Sequence, residues 1–365
     1  MSQQPNQLAI ALDPTQWSEF KFHPRVSEVF QNWVRNNQYP YSVLLSGHTG
    51  TGKTTAAKLL IKSALCPNRP DNSGEPCGAC QTCKADPRTM SSVNNVTWIQ
   101  RGQEETLATQ FKRALQEAGS PAYGLGDRKF IVFDELQSIP RDRLQDLLFY
   151  PELADVLDRN RVTFIFLTMA EDKIDSGLLK PLKDRSRYFR FRKLQDEEVY
   201  TFLAQHYPQA PSESLQIISH NADGSLRSAL ASMQDCLEQD ESLSPLSVAE
   251  ILYYVSQTDR LRLWQALSEY DYRFITDFWK ENAYKFDELK LAHQMLRDLD
   301  QAMYKQPTAD QLLAFRLIYQ FIHSPAKVRV LDMIKTLVGL DLIPIEPALN
   351  PLEQSGYQRL KSVLA

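Results

Sequence analysis

At 365 residues the chain is longer than a single hydrophobic core readily supports, so two or three domains are expected. Its 43% hydrophobic and 24% charged content excludes a fibre or a disordered tail, and no run approaches the roughly 20 apolar residues of a membrane helix. A net charge of −4 gives no bulk attraction to nucleic acid, so any DNA contact needs a local basic surface. The opening residues MSQQPNQLAIALDPTQW lack a basic start followed by an apolar core, and the expected address is cytoplasmic.

In the first half, short apolar runs alternate with helical patterns: Tyr41 to Ser46, Lys53 to Leu65, Lys129 to Phe133, Arg141 to Phe149 and Val162 to Thr168. Strands separated by helices predict an α/β domain whose parallel sheet is covered on both faces. Phe130 to Phe133 and Phe164 to Leu167 are apolar at every position, which assigns them to the centre of that sheet. From Gln195 onward helical periodicity takes over, in Glu198 to His206, Ser212 to Ser219 and Ser225 to Leu237. Asp240 to Pro245 is a polar break, and Val248 to Ala365 carries further helical patterns interrupted by Pro307, Pro325 and the Pro344 to Pro351 cluster. The expected division is an α/β domain over 1–191, a small helical domain over 192–240 and a second helical domain over 241–365.

Between the first strand and the first helix lies Gly47-His48-Thr49-Gly50-Thr51-Gly52-Lys53-Thr54, a match to G-x-x-x-x-G-K-[ST]. Glycines let the backbone curl until its N–H groups face phosphate, and the helix N-terminus adds partial positive charge. Lys53 is expected to reach the β- and γ-phosphates of ATP, the Thr54 hydroxyl to ligate Mg²⁺, and Thr55 to complete the cradle. The alternative, a Gly/Thr-rich turn, is disfavoured by the strand before it and the helix after it. Asp134 and Glu135 follow the apolar strand Phe130 to Phe133. Asp134, at the carboxyl edge of the sheet, is placed to hold Mg²⁺ directly or through water, and Glu135 to orient and polarise the attacking water. Alone, the pair reads equally well as a helix cap; with the glycine loop it reads as the second half of a nucleotide site.

Cys66, Cys77, Cys80 and Cys83 form C-x10-C-x2-C-x2-C. Two-residue gaps let neighbouring thiolates converge on one tetrahedral ion, and four sulfurs make a closed structural Zn²⁺ site. Disulfides are the alternative, disfavoured by the expected cytoplasmic address. Cys236, on a helical pattern, reads as a core thiol.

A phosphate loop, a cysteine quartet within about 30 residues of it and a later Asp-Glu strand end resemble, in that order and spacing, the gamma/tau subunits of the bacterial DNA polymerase III clamp loader. The resemblance implies an AAA+ fold: a P-loop α/β domain with a zinc-binding loop, a helical lid and an all-helical collar through which subunits oligomerise. It implies an ATPase working in a ring with other clamp-loader subunits, opening a sliding clamp and loading it onto primed DNA during replication, with no membrane involved. Ser186-Arg187-Tyr188-Phe189-Arg190-Phe191 resembles the family's Ser-Arg-Cys stretch, whose arginine reaches a neighbouring subunit's γ-phosphate, so Arg187 is the candidate finger. Gly224-Ser225-Leu226-Arg227-Ser228-Ala229-Leu230 resembles the second sensor, with Arg227 contacting ATP from the lid, and Thr168 at its strand end fits the first sensor. A guanidinium at the γ-phosphate offsets charge that builds up during phosphoryl transfer, and one supplied in trans makes hydrolysis depend on assembly.

The chain departs from the family pattern in several places. Tyr188 stands for the cysteine, Phe149-Tyr150-Pro151-Glu152-Leu153 for the usual Leu-Glu-Glu-Pro-Pro, and Arg185 is a rival finger. Beyond about residue 240 the likeness rests on length and helical character, as in a divergent copy without the tau extension. The run from Lys180 to Lys193 holds seven positive charges, which read mainly as a solvated strand with Phe189 and Phe191 turned inward. Two other functions are compatible with the motifs: a regulatory AAA+ ATPase of a mobile-element or defence system, and a structural delta-prime-like subunit. The intact set Lys53, Thr54, Asp134 and Glu135 argues against the second.

Overall fold

The computed structural model describes residues 7–70, 72–90, 95–100, 105–122, 128–149, 160–268, 271, 273–275, 277, 278, 288–302 and 308–323. They fall into two compact units, 1–208 with 222–234, and 209–221 with 235–365.

The first unit is built on β1 Ser42–Gly47, β2 Val96–Ile99, β3 Lys129–Phe133, β4 Val162–Thr168 and β5 Arg187–Phe191. All adjacent pairs are parallel, in the order β2-β3-β4-β1-β5. β3 and β4 stand inside the sheet with every position buried, as their unbroken apolar runs require. Lys129 opens an apolar strand because its buried ammonium is satisfied: Nζ donates to the carbonyls of Glu117 at 2.9 Å and Ser120 at 3.1 Å and pairs with the Glu117 carboxylate at 3.2 Å.

Alternate residues of each strand serve opposite faces. Val43 and Leu45 of β1, with Val132, Ile165 and Leu167, pack against Phe30 of α2 (Pro24–Asn36) and Leu59 and Leu60 of α3 (Lys53–Leu65). Leu44, Ile131, Phe133 and Phe166 meet Phe111 of α5 (Leu107–Ala118) and Leu178 and Leu182 of α7 (Ser176–Arg185) on the other side; α4 (Gln81–Lys84) is a single turn beside α3, and α6 is Arg141–Phe149. The first helix, α1, is the short Gln7–Ala11; Pro24 suits the first position of α2, where no N–H is required, and Asn37 ends that helix in the left-handed conformation, φ 50°.

Among the described residues the second unit is helical. Ser212–Asn221 packs with Pro245–Leu252, and Gln257–Ser268, Glu288–Ala302 and Ala309–His323 close around Leu263, Trp264, Leu267, Leu291, Met295 and Ile318. Within it Arg260 and Asp298 form a buried bidentate pair, Nε–Oδ2 2.7 Å and Nη2–Oδ1 3.0 Å, and Arg260 Nη1 also donates to the Val255 carbonyl. Geometry of this kind lets a charge pair survive out of water.

The elements expected at Lys53 to Leu65, Lys129 to Phe133, Arg141 to Phe149 and Val162 to Thr168 stand at those bounds. The first strand begins one residue later, at Ser42, and the later helices run Asp196–His206, Ser212–Asn221 and Leu226–Gln239. Residues 150–153, Pro307, Pro325 and the Pro344 to Pro351 cluster lie outside the described residues. Among the described residues no helix is long and apolar enough to cross a membrane.

Candidate functional site: a phosphate loop and a cysteine cluster

Gly47 ends β1 and Lys53 begins α3, so the glycine loop turns between a buried strand and a helix N-terminus. Two of its glycines are required sterically. A Cβ on Gly47 (φ +149°) would lie 2.1 Å from the Phe191 carbonyl oxygen, and one on Gly50 (φ +73°) would lie 2.0 Å from Ser225 Oγ. The second contact brings the start of the helix Leu226–Gln239 against the loop, where Leu226 N donates to the Gly50 carbonyl at 3.0 Å.

Lys53 is buried, and its Nζ donates to the carbonyls of Gly47 at 2.7 Å and His48 at 2.5 Å. Burial pushes its pKa down to about 8; the Asp134 carboxylate works against that shift and the Arg227 guanidinium adds to it. Burial also raises Asp134, opposed by the backbone N–H of Glu135, which donates to Asp134 Oδ1 at 3.0 Å. Glu135 is exposed and sits in the left-handed region, φ 56° and ψ 53°, a conformation that a glutamate adopts only at a cost.

Thr168 is in register with Ser46, one residue before the loop, so the carboxyl ends of β1 and β4 are neighbours. Its hydroxyl donates to Gln137 Oε1 at 2.8 Å, tying the end of β4 to the turn after β3. Thr51 Oγ1 donates to the His48 carbonyl at 2.8 Å, and Thr49 Oγ1 lies 3.2 Å from Met169 Sδ. Thr54 is half-buried in the first turn of α3. The Thr55 hydroxyl donates to Asp13 Oδ1 at 3.1 Å, so it is engaged with the N-terminal segment. Gln137 and Asp13 carry no motif and were not singled out by the sequence.

Arg187 is exposed and stands at the other end of the sheet. It pairs with Val43, whereas Phe191 pairs with Gly47, and four residues of strand separate the two by roughly 13 Å. Arg185, the last residue of α7, lies at that same end, where its carbonyl accepts from Ser42 Oγ at 2.9 Å. Within the basic run, Lys183 pairs with Glu171, Arg192 makes a bidentate pair with Glu198 at 2.6 Å, and Lys193 pairs with Asp223 at 2.6 Å. Phe191 is buried and Phe189 half-buried, in keeping with a strand turned inward on its aromatic side.

The four cysteines converge. Their Sγ atoms all lie within 4.8 Å of one another, with Cys66–Cys80 at 3.9 Å and Cys77–Cys83 at 3.8 Å. Tetrahedral coordination at a metal–sulfur distance of about 2.3 Å places sulfurs about 3.8 Å apart, so the set fits one ion. The backbone N–H groups of Cys77, Cys80 and Cys83 donate to the sulfurs of Cys66, Cys77 and Cys80 at 3.3–3.4 Å. Such donors favour thiolate, and those of Cys80 and Ala79 bring Cys77 down to about 6, whereas burial pushes the thiols of Cys66 and Cys83 up. Cys66 caps the end of α3, the helix that Lys53 begins, so the cluster and the phosphate loop sit at opposite ends of one helix.

A parallel sheet with a glycine loop at the carboxyl end of β1, a lysine inside that loop and an acidic pair after β3 define a P-loop α/β fold. The family model described as DNA polymerase III, delta subunit, matches residues 22–194. The DNA polymerase III subunit gamma/tau of Mycoplasma pneumoniae is 25% identical over 248 residues, 65% of this chain and 33% of that protein. The DNA polymerase III subunit tau of Bacillus subtilis is 24% identical over 228 residues, 61% of this chain and 38% of that protein. The chain thus spans a third or slightly more of the length of these relatives. Among solved structures, the Thermotoga maritima RuvB Holliday junction branch migration motor aligns with 71% of this chain and 80% of its own at a TM-score of 0.45 and 14% identity. On the sequence matches the chain resembles clamp-loader gamma/tau subunits, at modest identity.

Proposed function

We propose that the chain is an ATP-hydrolysing subunit of a DNA sliding-clamp loader, using ATP binding and hydrolysis to open a clamp and load it onto primed DNA during replication in the cytoplasm. The observation that carries this reading is a buried lysine, Lys53, curled onto the Gly47 and His48 carbonyls of a glycine loop between β1 and α3, together with the gamma/tau relatives. Residues 1–191 are the nucleotide-binding domain, 192–240 the lid and 241–365 the collar that joins other clamp-loader subunits in a ring.

In this reading Gly47 to Thr55 cradle the phosphates, and Lys53 releases the Gly47 and His48 carbonyls to meet the β- and γ-phosphates. Thr54 and Asp134 hold Mg²⁺, which screens phosphate charge when bound, and Cys66, Cys77, Cys80 and Cys83 hold Zn²⁺, a structural cross-link. Glu135 orients the attacking water, with Thr168 and Gln137 beside it, and Arg227 approaches from the lid. Arg187, at the far end of β5 from its own loop, is assigned to the nucleotide of a neighbouring subunit on its resemblance to the Ser-Arg-Cys stretch. Arg187→Ala is expected to leave ATP affinity unchanged and to lower turnover of the assembled ring by about 10³-fold. Loss in Arg185→Ala instead would transfer the role to Arg185.

The depressed Lys53 makes binding pH-dependent. Below pH 8 the ammonium is charged before nucleotide arrives; above pH 8 binding must take up a proton, because phosphate oxygens favour the charged form. ATP affinity is expected to fall as pH rises beyond about 8, approaching tenfold per unit. A titration series from pH 7 to 9.5 checks this, and affinity constant through pH 9.5 would contradict it.

The deciding experiment is steady-state ATPase, first alone and then with partner subunits, a sliding clamp and primed DNA. Strong stimulation by clamp plus primed DNA is the expected outcome. Basal turnover indifferent to both would favour a regulatory AAA+ ATPase, and no turnover under any condition a structural delta-prime-like subunit.

A further inference from the structure

His23 belongs to no motif, yet it is buried against the phosphate loop. It caps the N-terminus of α2, where Pro24 follows it, and its Nε2 lies 3.0 Å from the Thr51 carbonyl oxygen. Its ring centroid lies 4.5 Å from that of Phe191, whose carbonyl closes on Gly47, and 6.2 Å from that of Phe20, whose ring closes on Gly52. Phe20, His23 and Phe191 thus form a wall behind the loop.

We propose that His23 is a positioning residue for the phosphate loop: its Nε2–H holds the Thr51 carbonyl outward and thereby aims the Gly52 N–H into the cradle. This rests on the nucleotide-site reading above. A carbonyl can only accept, so the ring nitrogen at this contact carries the proton. The Thr51 C=O and the Gly52 N–H belong to one planar peptide and point in opposite directions, so fixing the first fixes the second. Gly52 immediately precedes Lys53, which places that N–H at the start of the helix, where anions bind. Burial lowers the His23 pKa; the Arg192 and Lys53 charges act in the same direction, and the Thr51 carbonyl and Glu198 oppose it. A neutral ring donates through Nε2–H without placing a second cation beside Lys53.

The test is calorimetric titration of the full chain with ATP, ADP and adenosine. His23→Leu removes the donor and keeps an apolar side chain; His23→Gln supplies an amide nitrogen at a reach similar to that of Nε2. His23→Leu is expected to weaken ATP and ADP on the order of tenfold and leave adenosine unchanged, while His23→Gln recovers most of the loss. ATP binding as tight as wild type in folded His23→Leu overturns the proposal, as does an equal loss for adenosine or no recovery in His23→Gln. Lys53→Ala separates the two readings: wild-type protein that binds no ATP sinks the nucleotide site itself, whereas binding lost in Lys53→Ala but kept in His23→Leu sinks only the role of His23. If His23→Leu fails to fold, the imidazole ¹⁵N shifts of wild type decide, a proton on Nδ1 with bare Nε2 overturning the assignment.

Discussion

Lys53→Ala is expected to abolish measurable ATP binding and to reduce turnover by at least about 10³-fold. The substitution removes the one ammonium inside the loop, whose contacts with the Gly47 and His48 carbonyls show that it lies within reach of the curled backbone. Phosphate brings several negative charges into a pocket where Asp134 already contributes one, and without Lys53 the loop opposes them with backbone dipoles and Arg227 alone. Folding is expected to be unimpaired, since burial of that ammonium is unfavourable in the free protein. Direct titration with ATP, beside a thermal melt, is the check. Affinity within threefold of wild type would remove the loop from the nucleotide site.

The second large effect is expected from the cysteine cluster. Protein purified without chelator should carry one Zn²⁺ per chain, and Cys83→Ala should lose it, since three sulfurs leave an open position that a structural site cannot tolerate. Structural zinc contributes on the order of 10 kcal/mol of apparent binding energy to the segment it folds, far more than the short helix Gln81–Lys84 gains by other contacts. Loss of metal should therefore release residues 72–90 to fast hydrogen exchange while β1, β3 and β4 stay protected. Elemental analysis and exchange mass spectrometry read the two parts separately. Metal-free wild-type protein whose mass is short by two hydrogens per bridge would replace the zinc site with disulfides.

The sites that were legible before folding are those whose chemistry is contiguous in the chain. The glycine loop announces itself because phosphate cradles need residues that tolerate positive φ and close approach, and both demands are local. The cysteines announce themselves because two-residue gaps bring sulfurs together within one turn. Asp134 was found because an unbroken apolar run can only end at the edge of a sheet. The strand Val96–Ile99 was missed because four residues, one of them Thr97, carry no usable period, and its identity comes from pairing with β3.

Other features belong to no local pattern. Gln137 reaches Thr168 across two strand ends, and Asp13 reaches Thr55 across 42 residues. The placement of His23 behind Thr51 depends on how α2 packs, which a histidine-proline pair cannot reveal.

Taken alone, the sequence determined the alternation of strands and helices, the phosphate loop, the cysteine quartet and the acidic strand end, because each depends on neighbours a few residues away. The tertiary structure decided the strand order, the seating of Leu226 and Arg227 against Gly50, and the separation of Arg187 from the loop it resembles a partner for. Those are matters of register and packing between residues some thirty to more than a hundred positions apart. A parallel sheet sets them by sliding whole strands past one another until both faces are buried, and no single segment carries that information.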